Sequence, residues 1–152
     1  MGKRGVIERE LEDAERAAIE ALSVQMRTKL KIKKNATPDD VVAAIGRFID
    51  AVRDKKKKLP RDADTKMGLG ALWGEQLRAR TKWTWVHLTY PEGFKSFGLV
   101  PKDRHCACFP LNDIPEQMSA RKKPDHTTIL LFNMCVAGKT PETKAKSYTP
   151  FG

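Results

Sequence analysis

One stretch near the middle of the chain decides how the rest is interpreted: it reads Leu69-Gly70-Ala71-Leu72-Trp73-Gly74-Glu75-Gln76-Leu77 and, a few residues later, Trp83-Thr84-Trp85-Val86-His87-Leu88-Thr89. In the first segment apolar residues recur at the spacing of one buried helix face. The second segment is rich in aromatic and β-branched residues, which favour strands. The stretch therefore predicts a helix over about 65–81 that leads into a strand over 83–89.

Small and polar residues inside this helix leave two structural points open. Gly68, Gly70 and Gly74 lie within it, where glycine lowers helix stability. They indicate either close packing against the helix or a helix that begins only after Gly70. Glu75 and Gln76 are predicted to lie on its exposed face; the alternative is that they hydrogen-bond the backbone of the following strand.

The chain before this stretch is predicted to be helical. Residues 5–33 contain no proline or glycine after Gly5 and carry one apolar stripe, which predicts a single long helix. A second helix begins at Thr37 as N-cap with Pro38 as its first residue. That helix ends in the lysine run 55–58, before Leu59-Pro60.

The chain after this stretch predicts a small sheet and two more helices. A turn at 90–93 and apolar segments at 94–100 and 105–111 predict an antiparallel meander with the first strand. A short helix is predicted from Asn112 or Asp113 to about Ala120, and a last one over 127–137, with Gly138 as its C-cap. The fold class is therefore α+β in a single domain over 1–152, with a helical part over 5–60. In its α+β part, over 65–152, a helix packs on a small antiparallel sheet and a C-terminal helix follows.

Composition and charge restrict the class of protein. The chain has 152 residues, 40% of them hydrophobic, and a net charge of +10. No secretory signal and no apolar run of membrane-spanning length is recognised, and the cysteine count is odd, so we expect a cytoplasmic protein with reduced thiols and no membrane association. The positive excess is spread evenly along the sequence, with local clusters at Lys29/Lys31/Lys33/Lys34, Lys55–Lys58 and Arg121–Lys123.

No catalytic residue, metal site or cofactor is predicted. Cys106 and Cys108 are spaced too closely for a standard structural zinc site and are interpreted as core residues on one strand face. A cysteine nucleophile paired in space with a histidine is kept as a third hypothesis. No phosphate-binding loop, dinucleotide fingerprint or common hydrolase motif occurs.

The aromatic residues have two interpretations. Trp83 and Trp85 share a strand face and are predicted to be core, with Trp73, Val86, Phe97 and Phe109. The alternative is a platform on which single-stranded bases stack, surrounded by lysines that contact phosphates. This alternative makes the protein a nucleic-acid-binding accessory protein.

The central stretch also supports a resemblance. A Leu-Gly-x-x-Trp-Gly-x-x-Leu helix over 69–77, a Trp-x-Trp strand at 83–85 and the late segments 130–134 and 147–150 resemble small bacterial α+β domains of uncharacterised function. Such domains look like the immunity proteins that bacteria encode beside interbacterial toxins. The resemblance covers about residues 65–152 and implies no catalytic residues.

The favoured hypothesis is a non-enzymatic module that binds a protein partner, as an immunity-type protein that neutralises a cognate toxin. A strongly basic protein favours a partner with an acidic surface. Contacts are expected at exposed loops and helix ends, since loops carry function on a rigid scaffold. The predicted binding residues are Lys55, Lys56, Lys57, Lys58, Tyr90, Lys95, Arg121, Lys122 and Lys123.

Overall fold

The computed structural model describes residues 5–122, 124 and 126–152 and confirms the α+β class. The elements in chain order are β1 Ile7–Glu10, α1 Asp13–Lys29, α2 Pro38–Arg53, α3 Ala63–Arg80, β2 Thr84–Thr89, β3 Lys95–Val100, β4 Cys106–Ala107, α4 Pro110–Ser119, α5 Thr128–Ala137 and β5 Thr149–Pro150. Helix therefore outweighs strand. In sequence, α1 and α2 precede the central stretch, and α4 and α5 follow it.

The main sheet is antiparallel and has the order β1-β2-β3. Strands β2 and β3 form the predicted hairpin, with Trp85 opposite Leu99. The predicted third meander strand over 105–111 is much shorter than expected. Cys108 forms a single antiparallel bridge to Leu99 of β3, β4 pairs in parallel with β5, and α4 already begins at Pro110. Proline suits the first turn of a helix because its missing N–H is not needed there, and this explains the early start.

The prediction of one long helix over 5–33 is also wrong, because its first residues form β1. Ile7 pairs with Thr89, and the strand supplies the third member of the sheet. Glu12 then acts as N-cap of α1 in a capping box with Glu15. Glu8 accepts hydrogen bonds from Arg104 (2.9 Å) and Tyr148 (2.8 Å), residues far away in sequence. Tertiary pairing thus overrides the local helical pattern.

The predicted helix caps are mostly correct. The Thr37 hydroxyl accepts a hydrogen bond from the Asp40 N–H at 3.2 Å, with Pro38 as first residue of α2. Gly138 ends α5 in the left-handed conformation, at φ 74°. The short helix α4 differs, since it begins two residues before Asn112.

Helix α3 lies at the centre of the fold and packs against α1, α2, α4 and α5. It runs from Ala63, so its glycines serve close packing. A Cβ at Gly70 would lie 2.6 Å from the carbonyl carbon of Pro110, and one at Gly74 would lie 2.6 Å from Cη2 of Trp85. The same hydrophobic core contains Val41 and Ile45 of the predicted helical part and Leu72 of the predicted α+β part.

Candidate binding site: a basic cleft

Two of the predicted basic clusters meet in one cleft. The end of α2 and the end of α4 enclose an open space of about 840 Å³, lined by Arg53, Lys55–Lys58 and Arg121. The lysine run and Arg121 are far apart in sequence, so only the fold brings them together. Val52 and Met118, both buried, also line the cleft, and Leu59 is 44% exposed beside the lysines. Asp54 is the single carboxylate among the lining residues.

The way α2 ends explains why the lysines project into this cleft. Asp54 caps the helix, and Lys55 turns the backbone into the left-handed region at φ 59°. The Lys56 N–H then donates to the Ala51 carbonyl at 2.8 Å, and the Lys55 N–H donates to the Val52 carbonyl at 3.1 Å. This pair of hydrogen bonds is the Schellman motif, in which the left-handed residue is usually glycine.

Arg53 fastens the two sides of the cleft to each other. Its Nη1 donates to the carbonyl oxygens of Gln117 (2.8 Å) and Ala120 (2.9 Å), which lie at the end of α4. Those carbonyls belong to the last turn, where a helix leaves acceptors unsatisfied and favours a cation. The sequence analysis did not select Arg53, because no local pattern shows which distant carbonyls a helical arginine reaches.

The charge of the cleft is not neutralised within the described residues. The ion pairs found there join Arg9 to Glu15, Arg78 to Glu75, Arg80 to Asp39, Arg104 to Glu8 and His105 to Asp103. None of these pairs involves a residue that lines the cleft. Six cations beside the single carboxylate of Asp54 raise the local positive potential and attract anionic partners.

The other predicted binding residues lie in different places. Tyr90 is buried, and its hydroxyl donates to the Tyr148 carbonyl at 2.7 Å, so its prediction as an exposed contact is wrong. Burial raises the pKa of Tyr90 to about 12. Lys95 is exposed at the start of β3 and does not line the cleft. Lys122 is exposed beside Arg121, and Lys123 lies outside the described residues.

The predicted aromatic core is largely confirmed, which removes the stacking platform. Trp73, Trp83 and Trp85 are 0%, 8% and 3% exposed, Val86 and Phe109 are buried, and Phe97 is partly buried. Because stacking needs an accessible ring face, the tryptophans are not available to single-stranded bases.

Glu75 has a role that the sequence did not indicate. Its carboxylate accepts hydrogen bonds from the Trp85 indole N–H at 3.1 Å and from Arg78 at 2.8 Å. Gln76 is buried and donates to the Leu72 carbonyl within its own helix. The prediction of an exposed face is therefore wrong for both residues, and Glu75 bonds a side chain of the following strand instead of its backbone.

The cysteine hypothesis gains no support from the geometry. Cys106, Cys108 and Cys135 are free and buried, with 3.7 Å between the sulfurs of Cys108 and Cys135. Burial raises the pKa of Cys106 to about 12, and the Cys135 thiol together with burial raises that of Cys108. A thiolate is the reactive form, so these environments disfavour a nucleophile. Among the described residues, no group of three or more histidine, cysteine or acidic side chains is placed to hold a metal ion.

His105 lies in a hydrogen-bonded row of side chains. Its Nδ1 is 2.5 Å from an Asp103 carboxylate oxygen, and its Nε2 is 2.7 Å from the Thr140 hydroxyl. Backbone hydrogen bonds surround this row, from the Lys146 N–H to the Asp103 carbonyl and from the Thr149 N–H to the His105 carbonyl. The row therefore belongs to the contacts that hold the C-terminal tail on the loop before β4.

Fold and site together define an α+β protein with an open basic cleft at the ends of two helices. Comparison with models of known protein families, with curated proteins and with solved structures found no match. Within residues 5–122 and 126–152, no helix has the length and apolar character needed to cross a membrane.

Proposed function

We propose that this chain is a non-enzymatic binding protein whose basic cleft engages an acidic protein partner, and that it acts in the cytoplasm as an immunity-type protein neutralising a cognate toxin. The observation that carries the proposal is the convergence of Lys55–Lys58 and Arg121 in a cleft where none of them has an ion-pair partner among the described residues. Electrostatic complementarity of this kind speeds association and selects partners by charge.

The composition of the cleft favours a protein partner over nucleic acid. Leu59 is the exposed apolar residue among the cations, whereas Val52 and Met118 line the same space but are buried. A partner with both carboxylates and apolar side chains can satisfy such a surface, because apolar contact adds to affinity when water is displaced. The phosphate backbone of a nucleic acid contacts the cations and makes no use of the apolar residue.

The immunity role draws on the resemblance of residues 65–152 to small immunity-type domains. In that role the protein covers a functional surface of the toxin without chemistry of its own. The basic cleft suits an acidic-faced toxin better than a nuclease, whose substrate-binding face is usually basic.

Nucleic-acid binding is the second candidate function, and the nearly carboxylate-free lining of the cleft favours it. Lysines that neutralise phosphates give an affinity that falls steeply with salt. With the tryptophans buried, such binding would depend on phosphate contacts and show little preference between single and double strands.

A neutralisation assay with matched charge variants tests the proposal. The chain is co-expressed with a secreted toxin, which is sought among the products of the genes beside its own. The test variant carries Lys56→Glu, Lys58→Glu and Arg121→Glu, while the control carries Lys102→Glu, Lys139→Glu and Lys146→Glu at exposed positions that do not line the cleft. We expect the wild type and the control to restore growth and the test variant to fail.

Three results oppose the proposal. Neutralisation by both triple variants would show that the cleft is only solubilising surface. Loss of neutralisation in both variants would show that neutralisation depends on the total charge of the protein and not on the cleft. Binding to duplex and single-stranded oligonucleotides that only the cleft variant loses, without growth rescue by the wild type, would favour the nucleic-acid function.

A further inference from the structure

A second cleft lies beside the first, between the end of α1 and the middle of α2, and has a volume of about 500 Å³. Its apolar lining consists of Leu30, Ala44 and Phe48. Its charged lining consists of Lys29, Lys31, Arg47 and Lys57, and no carboxylate lines it. Lys57 lines both clefts, so the two basic surfaces adjoin.

Helix α1 ends in the same way as α2. Lys31 is in the left-handed region at φ 56°; its N–H donates to the Thr28 carbonyl at 3.0 Å, and the Ile32 N–H donates to the Arg27 carbonyl at 3.1 Å. In contrast, α5 ends with glycine at its left-handed residue. Two lysines thus occupy positions that glycine fills with less strain, and both line the basic clefts.

The remaining non-glycine residues with positive φ have a different setting. Arg104, Lys146 and Tyr148 lie in the loop before β4 and in the tail that packs on it. Arg104 and Tyr148 both hydrogen-bond Glu8, which explains their placement without any ligand.

Two contacts hold the charged lining of the second cleft in place. The Lys29 ammonium donates to the buried Thr65 hydroxyl at 2.6 Å. The Lys57 ammonium lies 5.5 Å from the centre of the Phe48 ring. Cations that are already positioned lose less conformational freedom when an anionic ligand binds.

We propose that this second cleft binds an acidic, amphipathic peptide segment of the partner. An apolar side chain of the segment contacts Leu30, Ala44 and Phe48, while its flanking carboxylates face the four cations. The inference rests on the proposed function, because the same acidic partner occupies both clefts, which adjoin at Lys57. It adds that recognition depends on an apolar residue as well as on charge.

Two synthetic peptides of equal negative charge test the inference. Both are acidic octapeptides; one carries Leu-Phe at its centre and the other Ala-Ala. Affinity is measured by calorimetry at low ionic strength, and the contacted residues by amide chemical shifts of the full chain. We expect the Leu-Phe peptide to bind about tenfold tighter and to shift Ala44 and Phe48.

Variants separate the two clefts. Phe48→Ala should abolish the preference for the Leu-Phe peptide, with folding checked by circular dichroism. Ala44→Glu, at a position that is not fully buried, should weaken both peptides by adding a carboxylate to the lining. The triple cleft variant Lys56→Glu, Lys58→Glu, Arg121→Glu should keep the preference, since these residues do not line the second cleft.

Equal affinity of the two peptides for the wild type, or shifts confined to the first cleft, would overturn the inference and leave the proposed function standing. If the chain discriminates between the peptides but does not neutralise the toxin, the peptide-binding cleft would stand and the proposed function would be overturned. Displacement of both peptides by an oligonucleotide whose own binding is weakened by Ala44→Glu but unaffected by Phe48→Ala would assign the second cleft to phosphates and overturn the inference.

Discussion

Lys55 occupies a backbone conformation that glycine adopts with less strain. Because a side chain in the left-handed region costs about 1 kcal/mol, Lys55→Gly should raise the free energy of unfolding by up to about that amount. The same change removes one cation from the basic cleft and should slow association with an acidic partner. Chemical denaturation and stopped-flow binding measure the two effects.

Lys58→Gly is the matched control, since Lys58 lines the same cleft without a positive φ. It should slow association similarly while leaving stability unchanged or slightly lower, because glycine adds freedom to the unfolded chain. Equal stability changes in the two variants would contradict strain at Lys55.

Gly70 and Gly46 are both inside helices but differ in what a methyl group would meet. A Cβ at Gly70 would press on the Pro110–Leu111 backbone, whereas one at Gly46 would meet the flexible end of Ile129 at 3.1 Å. Gly70→Ala should therefore destabilise by about 1–3 kcal/mol or more. Gly46→Ala should be close to neutral or stabilising, because alanine favours the helix by about 1 kcal/mol. Thermal unfolding of both variants checks the contrast.

Asp113 should make stability fall as the pH rises. Burial, with a smaller contribution from Glu116, raises its pKa to about 6 from an ordinary value near 3.8. The folded state then binds more protons than the unfolded state between about pH 4 and 6, so its stability decreases across that range. Asp113→Asn should remove this slope and stabilise at pH 7 by about 1–2 kcal/mol, allowing for partial exposure of the group.

Urea denaturation at several pH values measures this effect. Asp50→Asn, at an exposed position on α2, serves as the control and should keep the wild-type slope. An unchanged slope in Asp113→Asn would show that another group controls stability in this pH range.

Arg53 links the ends of helices α2 and α4, which pack against each other beside the cleft. Arg53→Met should destabilise by about 1–3 kcal/mol, because two carbonyl acceptors at the end of α4 lose a charged donor. It should also weaken partner binding beyond the loss of one charge, since the position of Arg121 depends on the end of α4. Arg47→Met, at an exposed position on the same helix, should change stability by less than about 0.5 kcal/mol. Differential scanning calorimetry distinguishes the two variants, and equal melting temperatures would contradict the anchoring role of Arg53.

The whole molecule carries a net charge of +10, and its fold concentrates part of that charge along two adjoining clefts. Repulsion among these cations opposes folding and is screened by salt. The wild type should therefore become more stable as sodium chloride rises from about 0.01 to 0.2 M, over the range where the screening length shortens most. The triple variant Lys56→Glu, Lys58→Glu, Arg121→Glu should show a smaller rise, and a rise equal to that of the wild type would argue against repulsion within the clefts.

Local chemistry alone determined several parts of this protein. The α+β class, the Thr37 and Gly138 caps, the β2–β3 hairpin and the buried tryptophans follow from short-range periodicity, proline and glycine positions and strand composition. These signals act between residues that are close in sequence, so they do not depend on how distant parts of the chain pack.

Only the tertiary structure decided the parts that depend on distant partners. Residues 7–10 carry a helical pattern but become a strand, because the β2 edge offers hydrogen bonds and Arg104 and Tyr148 hold Glu8. Tyr90 opens the predicted turn at 90–93 yet is buried against the tail. The candidate site has the same origin: charge spread evenly along the sequence meets in space because α2 packs against α4 and Arg53 joins their ends, which no local pattern connects.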